Sequence, residues 1–121
     1  MNPVGCAKAV SQALVACGLP EARVAAVTGD DLLPQLRELL DGGEAFAHFD
    51  AGQPLGELRD RIVSAHAYLG AEGIADALAQ DAQIVVTGRI VDAALTLGPA
   101  LHEFGWSTDD WPRLGAGVVA R

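Results

Sequence analysis

Residues 87–92 combine the residue types that bind anionic ligands. An apolar run ends in Thr87-Gly88, Arg89 follows at once, and Asp92 comes three residues later. Glycine lets backbone N–H groups approach a ligand, threonine offers a hydroxyl, and arginine offers a fork of donors suited to carboxylate or phosphate. We therefore predict Thr87, Gly88 and Arg89 as ligand-binding residues and Asp92 as a catalytic carboxylate. An ion pair between Arg89 and Asp92 across one helical turn explains the same pattern without a ligand.

A second Thr-Gly pair follows another apolar run and carries the opposite charge. Thr28-Gly29 ends residues 23–29, RVAAVTG, and Asp30-Asp31 comes next. We predict Asp30 as a catalytic carboxylate, such as a general base, with Thr28 and Gly29 binding the ligand beside it. The alternative role for Asp30 is to cap the N-terminus of a helix.

A third candidate segment is HAYLG, residues 66–70. We predict His66, Tyr68 and Gly70 as ligand-binding residues, because a histidine at the end of a strand suits acid–base chemistry. The commoner role of a histidine in an apolar run is that of a hydrogen-bonded core residue. The histidines do not have metal-ligand spacing, and dinucleotide, P-loop and hydrolase motifs do not occur. The sequence thus predicts no metal site and leaves any cofactor unknown.

Helices and strands are predicted to alternate along the chain. The helices start at Asn2-Pro3 (ending at Gly18), at Asp30-Asp31, near residue 70, near residue 92 with a break at Gly98-Pro99, and at a Ser107 or Thr108 cap. The strands cover 23–29 and 82–88. Residues 61–69 fit either a strand or a helix, and the β-branched start and Gly70 favour a strand; residues 42–57 form a loop that leaves room for a short strand at 45–49. This order predicts an α/β fold with a parallel, doubly wound, Rossmann-like sheet and crossover helices. Parallel strands end at one edge of a sheet, so both Thr-Gly turns should lie together.

Composition narrows the choice of partners. The chain has 121 residues, which suits one domain, and 50% of them are hydrophobic. This apolar excess predicts that part of the surface contacts a second copy of the chain or segments missing from it. A net charge of -8 argues against nucleic acid and anionic membranes as partners, which leaves a small-molecule substrate. No targeting segment is visible, so we expect a cytoplasmic protein. Cys6 and Cys17, about 16 Å apart along one helix, are expected to be unbridged core residues.

Residues 67–121 resemble the acyclic terpene utilisation (AtuA) family, and earlier blocks extend the resemblance over nearly the whole chain. The residues that carry it are Asn2-Pro3, Cys6-Ala7, Gly29-Asp30-Asp31, Tyr68-Leu69-Gly70-Ala71, Thr87-Gly88-Arg89, Asp92, Leu97-Gly98-Pro99 and His102-Glu103-Phe104-Gly105-Trp106. The resemblance implies a role in breaking down acyclic terpenoids such as citronellol and geraniol through acyl-CoA intermediates.

The chain departs from the family pattern in two ways. The family usually has Asn where this chain has His66. Family members are also several times longer, with strands before the Asn-Pro helix and often a ferredoxin-like second domain, so the resemblance implies an incomplete N-terminal domain.

Three functional hypotheses follow. In the first, the chain binds or converts the CoA thioester of a branched acid, with Arg89 and the Gly88 backbone on the anionic group and Asp30 or Asp92 handling a proton. In the second, it is a non-enzymatic scaffold or subunit whose apolar faces dock another chain. In the third, it is an inactive, truncated fragment. The sequence does not decide whether it is an enzyme.

Overall fold

The computed structural model describes residues 2–120. In chain order the elements are α1 (Pro3–Ala16), β1 (Val24–Val27), α2 (Leu36–Asp41), a 3-10 segment (Leu55–Arg61), α3 (Glu72–Ala79), β2 (Ile84–Thr87), α4 (Ala94–Phe104) and α5 (Trp111–Val119). Among these residues the two strands form one parallel sheet, and α1 and α3 each contact both of them. The α/β class is confirmed, but a doubly wound, Rossmann-like sheet is not seen in residues 2–120.

Helix α1 begins and ends as its sequence predicts. The Asn2 side chain accepts a hydrogen bond from the Gly5 N–H at 2.8 Å, and Pro3 occupies the first helical position, where its missing N–H costs nothing. Both cysteines are unbridged, but they are exposed, so the prediction that they face the core is wrong. The reason is that α1 buries only a narrow stripe, and Ala7 is the one buried residue among those described in this helix.

The second helix starts later than predicted. Asp31 Oδ1 accepts a hydrogen bond from the Leu33 N–H at 3.0 Å, which makes a local turn, and α2 begins only at Leu36. Asp30 therefore does not cap this helix. The short strand predicted at 45–49 is absent from the described residues, and the 3-10 segment follows this loop.

The segment predicted as the middle strand, residues 61–69, begins with the last residue of the 3-10 segment and then makes only two isolated bridges. His66 pairs antiparallel with Asp31, and Leu69 pairs parallel with Ile90. Because its bridging partner changes from the loop after β1 to the loop after β2, no regular strand forms.

Two predictions about the later helices are wrong. Helix α4 runs through Gly98-Pro99 without a break, because Gly98 packs tightly against Ile74 of α3 and this contact keeps the helix in place. The cap of α5 is Asp110, whose carboxylate accepts from the Arg113 N–H at 3.3 Å, in place of Ser107 or Thr108.

The hydrophobic core lies between α3 and α4 and is closed by β2 and α5. Ala71, Ile74, Ala94 and Leu101 are its buried members. Large apolar side chains remain exposed on other parts of the described surface, including Phe49, Val63 and Val119.

Candidate functional site

The two Thr-Gly turns lie side by side, as the sequence predicts. Val27 is in register with Thr87, and the Gly88 N–H donates to the Val27 carbonyl at 3.1 Å. The residues that leave β1 and β2 therefore emerge at the same end of the sheet. Thr87 is half-buried, whereas Thr28 and Gly29 are exposed. Gly29 has φ +115°, a left-handed backbone conformation that residues other than glycine rarely adopt.

The segment around residues 65–70 lies across both turns. The Ala67 N–H donates to the Asp30 carbonyl at 2.8 Å, and the Leu69 N–H donates to the Arg89 carbonyl at 3.0 Å. The Val91 N–H returns a bond to Leu69 at 3.0 Å. Backbone hydrogen bonds thus join three distant parts of the chain. We call residues 28–31, 66–70 and 87–91 together the strand-end site.

Asp30 is the buried acid of the strand-end site, with 3% of its surface exposed. Its carboxylate lies so close to Gly88 that a Cβ on that glycine would overlap it. The backbone N–H of Arg89 donates to this carboxylate and holds the pKa of Asp30 below its ordinary value, against the opposing effect of burial. Its own N–H and His66 lower the pKa further. Asp30 is therefore an anion at neutral pH.

His66 is the side-chain partner of Asp30. Its Nδ1 lies 3.3 Å from Oδ2 of Asp30, and its side chain is 17% exposed. Neither atom makes a hydrogen bond of good geometry within residues 2–120, so the 3.3 Å ion-pair contact is what pairs them. If the two groups were separated, the buried carboxylate oxygen and the buried ring nitrogen would each be without a polar partner, which costs free energy. Donation from Nδ1–H to the carboxylate is thus the arrangement that suits both groups, and it leaves Nε2 as the nitrogen free to exchange a proton.

Arg89 and Tyr68 form the exposed rim of the site. Arg89 Nη1 donates to the Tyr68 hydroxyl at 3.3 Å, and the guanidinium carbon lies 5.7 Å from the centre of the tyrosine ring. The ring face attracts a cation, so Tyr68 holds the guanidinium in two ways. A guanidinium has five N–H donors, and one bond to Tyr68 does not exhaust them.

The remaining predicted residues lie at the borders of the site. Gly70 is exposed and immediately precedes the turn into α3. Asp92 is exposed in the turn before α4. Residues 88–91 are not helical.

A second feature beside the site was not foreseen from the sequence. A mainly apolar cavity of about 270 Å³, whose lining also includes Glu72 and Thr108, lies next to Gly70 and Val91. Leu97 and Leu101, one turn apart on α4, line it together with Trp111 and Leu114 of α5. The i, i+4 spacing of the two leucines was visible in the sequence, but it is equally typical of an ordinary core face.

A larger cavity, of about 440 Å³, lies elsewhere. It follows β1 and one face of α3 and includes none of the polar residues of the strand-end site. We place the candidate site by its chemistry and not by cavity size.

Residues 2–120 contain no group of three or more His, Cys, Asp or Glu side chains that could hold a metal ion. None of the helices described for this chain is long and apolar enough to cross a membrane.

Comparison with known proteins gives a match at the family level. The model of the "Acyclic terpene utilisation family protein AtuA" matches residues 1–121. Neither the curated proteins nor the solved structures contained a match to this chain. Because the family match spans the whole chain, the protein belongs to the acyclic terpene utilisation family, AtuA.

Proposed function

We propose that the strand-end site binds the CoA thioester of a branched acid that arises during acyclic terpene utilisation. The observation that carries the proposal is the buried Asp30 carboxylate against Gly88. It accepts the backbone N–H of Arg89, so it fixes the loop that carries this cation. Tyr68 then holds the guanidinium at the open rim. An arginine fixed before the ligand arrives loses less conformational freedom on binding.

The ligand class follows from this cation and from the family. A guanidinium pairs well with phosphate or carboxylate, and a CoA thioester carries phosphate groups beside its acyl chain. The protein as a whole has a net charge of -8, so an anionic ligand needs a local cation of this kind.

The 3.3 Å contact between Asp30 and His66 favours a second, enzymatic candidate function. In it His66 exchanges a proton with the bound ligand, and the ionised Asp30 orients the imidazole. Asp30 is then a positioning residue and His66 the catalytic one. Asp92 remains the other candidate carboxylate for proton transfer.

Binding is tested by titrating citronellyl-CoA into the protein and measuring the heat released. We expect Arg89→Ala to weaken binding at least about tenfold, because a charge-assisted contact is lost. Arg23→Ala is the matched control, since Arg23 precedes β1 at the opposite end of the strand and pairs with Asp81 there. If folded Arg89→Ala binds citronellyl-CoA with the same affinity as wild type, the anion site is refuted.

The enzymatic candidate is tested separately by exchange of ligand protons for deuterium in heavy water, followed by NMR. His66→Asn places in this chain the residue that the family usually has there. It should retain ligand binding and lose exchange, whereas Arg89→Ala should lose both. Undiminished exchange in His66→Asn would exclude His66 as the proton carrier.

A further inference from the structure

Phe49 is the most exposed large apolar side chain among the described residues, at 99% exposure. Hydrogen bonds hold the turn that carries it in one shape. The Gly52 N–H donates to the His48 carbonyl at 2.8 Å. The N–H groups of Asp50 and Ala51 both donate to Nδ1 of His48, each at 3.2 Å. Phe49 is therefore presented to solvent by a hydrogen-bonded turn, which loses little conformational freedom when a partner binds.

A cavity of about 290 Å³ opens beside this turn, between the loop and the 3-10 segment. We call it the loop cavity; its apolar lining is Phe46, Pro54, Leu55 and Leu58, and its polar members include His48 and Glu57. Phe46 and Leu58 are 40% and 48% exposed, so the loop cavity is open to solvent. Phe49 does not line it, so the ring does not fill the cavity of its own chain.

The base of the loop is also held in place. The Leu55 N–H donates to the Ala45 carbonyl at 3.2 Å, and the His48 N–H donates to the Gln53 carbonyl at 2.8 Å. Phe46 has φ +41°, which is uncommon for a residue with a bulky side chain. Such a backbone conformation persists where the surrounding contacts require it. The Phe49 ring and the loop cavity therefore keep a fixed position relative to each other.

The loop cavity is large enough to hold a phenyl ring. Benzene fits an apolar protein cavity of about 150 Å³, and the loop cavity offers about 290 Å³. A ring that enters it removes apolar surface from water on both sides of the contact, which favours association. Because the ring and the cavity belong to one surface patch, two copies related by a two-fold axis can each place a ring in the other's cavity.

We propose that residues 46–58 form a self-association surface, in which Phe49 of one copy enters the loop cavity of a second copy. The reciprocal contact completes a two-fold dimer. A second copy is the partner that fits, because one patch carries both the ring and the cavity that accepts it. The proposal is independent of the strand-end site, which includes none of these residues.

The size of the contact predicts a weak dimer. A buried phenylalanine contributes about 150–250 Å², so two rings and the walls that they cover account for roughly 600–1,000 Å². Stable interfaces bury about 1,200–2,000 Å². The net charge of -8 on each copy also opposes association. We therefore expect dimers only at protein concentrations of about 0.1–1 mM.

Sedimentation velocity of the 121-residue chain tests the proposal between about 10 µM and 1 mM. Wild type should change from monomer to dimer over this range. Phe49→Ala removes the ring and should weaken association at least about tenfold. Leu58→Glu places a carboxylate in the loop cavity and should weaken association to the same extent, because the charge would lose water when a ring enters. Phe104→Ala is the matched control, since Phe104 is 70% exposed on α4 and does not line the loop cavity.

A mixture of the two variants distinguishes reciprocal insertion from any other contact between copies. Phe49→Ala keeps its cavity, and Leu58→Glu keeps its ring. A mixed dimer therefore retains one of the two contacts, whereas a dimer of either variant alone retains neither. The mixture should associate more strongly than each variant alone and more weakly than wild type.

Three results would overturn the proposal. The first is a wild type that stays monomeric up to about 1 mM, which would exclude a second copy as the occupant of the loop cavity. The second is a Phe49→Ala protein that associates as wild type does; because Phe49 is 99% exposed, this variant should fold and gives an answer even if Leu58→Glu does not fold. The third is a mixture of folded variants that associates no more strongly than its components.

Discussion

Two carboxylates of this molecule have lowered pKa values for different reasons. Asp30 is 3% exposed, and the backbone N–H of Arg89 is the main cause of its low pKa. Asp41 has a side chain 65% exposed, and the Arg59 guanidinium, which donates two hydrogen bonds of 2.9 and 3.0 Å, holds its pKa below the ordinary value. The low pKa of Asp30 therefore depends mainly on a backbone group, and that of Asp41 depends on the side chain of Arg59.

This difference determines what each acid does for the fold. Asp30 joins β1, the loop after β2 and the segment that carries His66, so its removal disturbs three parts of the chain at once. Asp41 ends α2, and with Arg59 it links only α2 and the 3-10 segment on either side of an exposed loop. Exposed ion pairs contribute little to stability because water and salt screen them. The strand-end site should therefore be the sensitive region.

The largest effect is expected from Gly88→Ala. The added methyl group would overlap the carboxylate of Asp30, which is only 3% exposed, so the free energy of unfolding should fall by about 1–3 kcal/mol. Denaturant unfolding measures it. Gly115→Ala in α5 is the control, since a Cβ there meets nothing and should stabilise the helix by about 0.5–1 kcal/mol. A Gly88→Ala protein as stable as wild type would show that the carboxylate does not occupy this position.

Asp30→Asn should have the next largest effect, and it should depend on pH. Because the pKa of Asp30 is lowered in the folded state, its ionised form stabilises the fold above the unfolded-state pKa of about 3.9. This stabilisation is lost as the pH falls through the folded-state pKa. The melting temperature of the variant should lie below that of wild type at pH 7, and the gap should narrow below about pH 4.

The control for this series is Asp50→Asn, at an exposed loop position. Its melting temperature should follow that of wild type at neutral pH. A gap between wild type and Asp30→Asn that stays constant from pH 7 to pH 3 would contradict the assignment of Asp30 as the stabilising anion.

Local sequence signals were enough to predict that the ends of the two strands meet. The Thr-Gly endings of two apolar runs predicted both strands and their common edge, and the register of Val27 with Thr87 confirms this. Each signal is short-range, because seven consecutive residues are enough to recognise an apolar strand that ends in Thr-Gly. Parallel pairing then brings the ends together without further information.

The contacts within the site could not be predicted in the same way. His66 is 36 residues from Asp30 in the chain, and no spacing rule relates them. The small size required at residue 88 follows from a carboxylate supplied by another strand end, whereas the sequence predicted Gly88 as a ligand-binding residue. The continuity of α4 through Pro99 has the same origin, since the contact between Gly98 and Ile74 of α3 is tertiary. Sequence reasoning failed where long-range packing overrides local preference.

The smallest effect is expected from Arg59→Ala. Its loss removes both hydrogen bonds to Asp41, yet Asp41 stays solvated, so the melting temperature should change by no more than a few degrees. The change should shrink further at 1 M salt, where the screening length is about 3 Å, whereas the Asp30→Asn effect should persist because its partners are buried or backbone groups. If Arg59→Ala destabilises the protein as much as Asp30→Asn at both salt concentrations, then the link between α2 and the 3-10 segment supports the fold as strongly as the strand-end site does. The contrast between fixed backbone and exposed side-chain partners would then fail to account for stability in this molecule.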